Sequence, residues 1–323
     1  MGLALAATHY ACAVGERAES FERGAVVAFR RDPRLLRMHL PLRARMGIRR
    51  GVDLLGELTA GFRLLPSYVI VGAQKGGTSA LYEYLVRHPL VGRSTNEEVQ
   101  YFSLNYGRGT AWYRGHFPTV ARAAFVRRRY GRELVTGESS PYYLFHPHAL
   151  ERIRELLPEA KLVVVLRNPV DRAYSQYNHS RQMGTEQLET FEAGLAAEPG
   201  RLDGELEKMV ADPLYNSFSH YNHSYLARGL YVEQLERLYR LFDERQILLE
   251  AADDLSQNTE AVYMRVLQFL GLPVQRLSRY PRHNARRYPP MRPETRRRLV
   301  EYFTEPNERL YAFLGRDLGW DRA

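Results

Sequence analysis

The stretch "VIVGAQKGGTSALYEYL", residues 69–85, passes from an apolar run into a glycine turn and out into a helical pattern. A strand that ends in such a turn at a helix N-terminus exposes unpaired backbone N–H groups where the helix dipole is positive, which makes an anion site. Gly76 and Gly77 let the backbone approach a phosphate, Thr78 and Ser79 add hydroxyl donors, and Lys75 supplies a point charge. The simplest alternative is a tight strand-to-helix turn that binds nothing.

The triphosphate loop pattern G-x-x-x-x-G-K-[ST] has its lysine after the second glycine, whereas Lys75 precedes the glycine pair here. The clearest buried strand elsewhere, "KLVVVLRN" (161–168), carries five consecutive apolar residues, as a parallel strand covered on both faces does. It ends in Arg167 where a nucleoside triphosphatase would place a metal-binding acid. An arginine there repels a metal and attracts a second anion, so two anionic groups are read with no metal between them.

Strand and helix signals alternate from Ser67 onward. "ELVTGES" and "QILLEAAD" read as strands, and "VQYF" as a short apolar run. "HALERIRELLP", "YLARGLYVEQLERLYRLF", "NTEAVYMRVLQFLGLP" and "PETRRRLVEYFTEPNERLYAFLG" read as helices, and Asn168-Pro169 opens another as N-cap and first residue. The alternation predicts an α/β, three-layer, P-loop-like fold with a mostly parallel central sheet flanked by helices, over residues 65–323.

Residues 1–64 differ, with eleven arginines against six acids, and are expected as a basic N-terminal arm, partly ordered at most. Net charge is +9, yet only three of the 46 basic residues are lysines. The arginine bias is therefore weak support for nucleic acid, and no specific nucleic-acid partner is expected. The arm is a candidate for peripheral contact with a membrane or a polyanion. The single cysteine, Cys12, rules out an intrachain disulfide and a thiolate metal cluster; His220 and His223 lack ligand partners at metal spacing, so no metal is expected. The opening residues make a poor signal peptide and no apolar run is long enough for a span, so the expected location is cytoplasmic, with peripheral membrane contact through the arm as an option.

With both anion-binding stretches in place, the chain resembles the sulfotransferases that use 3′-phosphoadenosine 5′-phosphosulfate (PAPS). "QKGGTSAL" is similar to that family's 5′-phosphosulfate loop, and "LRNPVDRAYSQY" to its 3′-phosphate motif, which implies that Arg167 and Ser175 bind the ribose 3′-phosphate. Within the family the likeness is to the heparan sulfate sulfotransferase branch and its bacterial relatives. "NEEVQYF" resembles the segment carrying a catalytic glutamate, which implies Glu98 as base, with Glu97 beside it as the competing carboxylate. "SQYNH" matches His179 to a histidine of that branch's N-sulfotransferases, which implies a catalytic role. "RRYPPM" resembles the loop that closes on the nucleotide, which implies contacts from Arg286, Arg287 and Tyr288; Ala285 departs from the glycine often found there. The resemblance spans roughly Pro66 to Trp320.

The implied reaction moves a sulfuryl group from PAPS to a hydroxyl, with an amine as second choice, of a glycan, glycolipid or other metabolite. Lys75 would stabilise the leaving oxygen and Glu98 would take the acceptor's proton. The tyrosine clusters "SSPYYLFH" and "YNSFSHYNHSYL" would suit a sugar-stacking cleft, although core packing accounts for most such residues. Two other readings stay open: a P-loop kinase or phosphotransferase, and a non-catalytic basic protein that binds polyanion or membrane.

Overall fold

The computed structural model describes residues 42–281 and 288–320, with backbone alone for 42–46. The basic stretch 1–41, including Cys12, and the loop residues Ala285, Arg286 and Arg287 lie outside the described residues. Helix α1, Leu42–Leu58, begins directly after Pro41. The strands and the remaining helices belong to the unit Gly56–Ala323.

β1 (Tyr68–Gly72) leads through the glycine turn into α2 (Thr78–Leu85) and the two-residue β2 (Val91–Gly92). β3 (Val135–Ser139), α3 (Ala149–Leu156), β4 (Lys161–Leu166) and α4 (Pro169–Met183) follow. Farther along the chain come a short helix α5 (Phe218–Asn222), then α6 (Tyr231–Leu241), β5 (Ile247–Ala251), α7 (Thr259–Leu270) and α8 (Pro293–Leu314).

The five strands form one sheet in the order β2-β3-β1-β4-β5, and every pairing is parallel. All five residues of β1 are buried, as a central strand covered on both faces requires. Alternate side chains of β1 and β4 go to opposite faces. Val69, Val71, Leu162, Val164 and Leu166 pack with Leu150 and Ile153 of α3 and Leu235 and Leu238 of α6. Tyr68, Ile70, Val163 and Val165 pack with Leu81 and Leu85 of α2 and Val262 and Val266 of α7. The period-2 pattern of the strands and the helical stripes thus give the three layers that the alternation predicts.

β1 lies at the centre, with β3 and β2 on one side and β4 and β5 on the other, so the direction in which strands are added reverses at β1. A crevice outside the carboxyl ends of β1, β3 and β4 follows from that switch. The short apolar run "VQYF" lies in an irregular segment that enters a turn at Tyr101, and one local reading changes. Residues 225–242 are not one helix: a single 3-10 turn, Ala227–Gly229, precedes α6. Gly229 packs so tightly that an added Cβ would lie 2.9 Å from the Phe303 ring and 3.0 Å from Pro169. Among the described residues no helix is long and apolar enough to cross a membrane.

Candidate active site

A cavity of about 350 Å³ opens at these strand ends. Its wall includes Lys75, Gly77, Thr78, Ser79, Glu98, Arg167, Ser175, His179 and Tyr288, drawn from both motifs and from the glutamate-bearing turn. Gln74, Asn178, Pro141 and Tyr221 join them, and none of these four stands out in the sequence.

The loop is shaped by its backbone. The Ala73 amide donates to the Val165 carbonyl of β4 at 3.0 Å, and the Gly76 amide to the Ala73 carbonyl at 2.9 Å. A Cβ on Gly76 would lie 2.2 Å from that Val165 oxygen, so only glycine passes there. Gly76 therefore serves the crossing against β4 and is not on the cavity wall. Gly77 caps α2 at φ 96°, a left-handed conformation open to glycine. The Leu81 amide donates to the Gly77 carbonyl at 3.1 Å and closes the first turn of the helix, so the amides before it face out of the helix end. That end, with Thr78, Ser79 and Lys75 on the cavity wall, has the donors and the positive potential that suit an anion.

Arg167 continues directly from β4, and its Nη1 donates to the Lys75 carbonyl at 3.2 Å. Two cations from sequence positions 92 apart are thereby joined at one spot. The α4 helix starts where predicted: the Asn168 side chain accepts the Val170 amide at 2.9 Å and Pro169 occupies the first turn. Ser175, Asn178 and His179 stand three and four residues apart, which places them on one helical face, and all three line the cavity. The Tyr174 hydroxyl donates to the Pro289 carbonyl at 2.8 Å, and its ring meets Tyr288 edge-on at 5.3 Å, which anchors Tyr288 on the wall.

Glu98 opens into the cavity and solvent reaches it there, while protein atoms crowd it on its other sides. That desolvation pushes its carboxyl up to about 7; the Gln100 amide and Lys75 pull it down, and Glu97 pushes it further up. Gln100 Nε2 donates to Glu98 Oε2 at 2.9 Å. Tyr221 lies near enough to feel the Glu98 charge, and its ring meets Tyr142 edge-on at 4.9 Å. Behind this wall the buried Arg228 donates to the Gln74 side chain and, at 2.8 Å, to the backbone carbonyls of His220 and Tyr221. It ties the loop that carries Lys75 to helix α5.

The four unheralded wall residues have weak signals in sequence. Asn178 is a helical neighbour of Ser175, Gln74 adjoins Lys75, Pro141 follows a strand end, and Tyr221 sits among many aromatic residues that are mostly core.

The family model described as sulfotransferase domain matches residues 65–304. A membrane-associated sulfotransferase, kil1, of Dictyostelium discoideum is 26% identical, over 79% of this chain and 66% of its own length. Heparan sulfate glucosamine 3-O-sulfotransferase 6 of Homo sapiens is 32% identical, over 80% of this chain and 75% of its own. The crystal structure of a sulfotransferase from Alicyclobacillus acidocaldarius superposes with a TM-score of 0.60 at 28% identity, covering 80% of this chain and all of that one. The chain spans about two thirds of the Dictyostelium relative's length and 30% of that of a bifunctional heparan sulfate N-deacetylase/N-sulfotransferase from Caenorhabditis elegans. On the family match and on the fold shared with the Alicyclobacillus enzyme, this chain belongs to the sulfotransferase domain family.

Proposed function

We propose that the protein transfers a sulfuryl group from PAPS to a hydroxyl of a glycan, glycolipid or other metabolite. One observation carries the reading: the helix-end anion site with Lys75, the Arg167 and Ser175 pair, and the Glu98 carboxyl all converge on one cavity. The donor chemistry fits the residues present, because two separated phosphate-bearing ends need two cationic, donor-rich spots and the cavity has them.

PAPS supplies an activated sulfuryl group on a mixed anhydride whose bridging oxygen gains negative charge on transfer. Lys75 and the amides at the start of α2 hold the 5′ end and offset that charge. Arg167 and Ser175 hold the 3′-phosphate, and Tyr288 closes the nucleotide side. Arg286 and Arg287 belong to the same proposal through the family resemblance alone.

Glu98 takes the acceptor's proton. A pKa of about 7 suits a general base: near neutral pH a large fraction is ionised, and the carboxylate is still basic enough to accept a proton in the transition state. His179 lies on the acceptor side of the proposal as a second proton-handling group, and Tyr221 with Pro141 forms an apolar surface against which a sugar or ring can lie. A kinase reading has Arg167 against it, since the strand end that would hold a magnesium-binding acid holds a cation.

The test incubates purified full-length protein with sulfur-35-labelled PAPS and panels of glycans, glycolipids and phenols. Labelled product from at least one hydroxyl acceptor is expected. Label found only on free amines would move the chemistry to N-sulfation, and label on none of the panels would sink the acceptor assignment.

A further inference from the structure

Glu138, at the carboxyl end of β3, is fully buried and takes no part in the cavity wall. Its Oε2 accepts the Val99 amide at 3.1 Å and the Ser140 hydroxyl at 2.6 Å, and its Oε1 accepts the Tyr143 hydroxyl at 3.2 Å. With its single proton given to Glu138, the Ser140 hydroxyl accepts the Gln100 amide at 3.0 Å. The Tyr143 hydroxyl accepts the Phe102 amide at 3.3 Å in the same way. Three amides of the turn that follows Glu98 therefore end on one carboxylate, directly or one bond removed.

That turn needs holding. Gln100 has φ 56°, a left-handed conformation rare for a residue with a side chain and kept only where the surroundings over-determine it. In this conformation Gln100 Nε2 donates to Glu98 Oε2, while Gln100 Oε1 accepts the Ser103 hydroxyl at 2.8 Å. The Gln100 side chain is thus fixed at both ends, and the donor it presents to Glu98 has no freedom to swing away. A buried polar network satisfied at every member is rigid in a way that an apolar contact is not.

We propose that Glu138 is a positioning residue for Glu98: by gathering the amides of Val99, Gln100 and Phe102 it holds the 98–103 turn in the backbone arrangement that aims the Gln100 amide at the Glu98 carboxylate. The inference rests on Glu98 as the base only for its consequence in catalysis. The coupling itself is independent of any acceptor.

The test uses the full chain, labelled with carbon-13 at the glutamate carboxyls and titrated by NMR. The Glu98→Gln and Glu138→Gln variants assign the signals of the two carboxyls. Ser140→Ala alters no charge and removes the hydroxyl that links Glu138 to the Gln100 amide. Once released, Gln100 no longer favours the ionised form of Glu98, and the Glu98 midpoint rises by roughly 0.5 pH or more. Glu138→Gln moves it in the same direction. Both variants bind adenosine 3′,5′-bisphosphate with wild-type affinity by calorimetry, because the donor loop is untouched. A Glu98 midpoint unmoved in Ser140→Ala overturns the proposal, and that variant decides alone if Glu138→Gln fails to fold. Full sulfuryl transfer by Glu98→Gln would remove the base assignment yet leave a shifted midpoint as support for the positioning.

Discussion

The glycine loop, residues 73–80, proposed to hold the donor, and the turn that begins at Glu98, residues 98–103, proposed to carry the base, are two walls of one cavity built by different means. The loop is shaped mainly by backbone bonds, by the close approach of Gly76 to β4 and by the helix cap at Gly77, with the Arg167 and Arg228 side chains added at Lys75 and Gln74. The turn is held by side chains 39 to 50 residues away: Glu138, Ser140, Tyr143 and, through the Phe102 carbonyl, Arg152. A wall made of backbone suits a fixed anionic donor, whose recognition asks mainly for amides and charge. A wall made of side chains suits a base, whose aim and pKa must be set atom by atom.

If the two walls act separately, variants in each should break different steps. Glu98→Gln should cost about 10²–10⁴-fold in transfer rate while adenosine 3′,5′-bisphosphate affinity stays within about twofold, since a positioned base contributes on that scale. Arg167→Ala should instead weaken nucleotide binding by roughly 10- to 100-fold, the scale of one charge-assisted bond to a phosphate, and leave much of the rate at saturating PAPS. Variants that lowered rate and affinity together in both walls would dissolve the distinction.

The pH profile sharpens it further. On the proposed mechanism Glu98 must be ionised to act, and desolvation by the protein atoms around it raises its pKa to about 7, so transfer is expected to be full above that pH and lost as pH falls through it. Below pH 7 the rate should drop about tenfold per pH unit, whereas Glu98→Gln should leave the pH dependence of nucleotide affinity as it is in the wild type. An acid limb centred near 4.5 would mean that the base is a carboxylate in an ordinary solvated setting. The smallest effect belongs to Ser175→Ala, a neutral hydroxyl lost from the donor side, which should weaken nucleotide binding by only about fivefold in calorimetry.

The same contrast explains what can be read from sequence. Strands β1 and β4, helix α2 and the Asn168 cap are written in consecutive residues whose chemistry acts locally, and Lys75 and Arg167 can each be named from such a stretch although they meet across 92 residues. Resemblance points to Glu98, but nothing in "NEEVQYF" announces that Gln100 takes a left-handed backbone or that Glu138 holds it there. The loop pattern assigns Gly76 to the phosphate, while its missing Cβ is explained by a β4 carbonyl that only the sheet brings near. Gln74 and Tyr221 reach the wall through the buried Arg228, a link across 154 residues to Gln74 that no local pattern encodes. Arg228 itself is hidden in what reads as an unbroken helix and lies in the 3-10 turn before α6.

The most direct measurement is a calorimetric titration of the full-length protein with adenosine 3′,5′-bisphosphate, in the presence of a chelator, alongside adenosine 5′-monophosphate. The expected result is saturable, metal-independent binding of the bisphosphate, with the monophosphate at least roughly tenfold weaker because Arg167 and Ser175 then have no phosphate to hold. Equal affinity for the two nucleotides, or no heat from the bisphosphate while ATP binds tightly with magnesium, would contradict the two-anion donor site on which the proposed function stands.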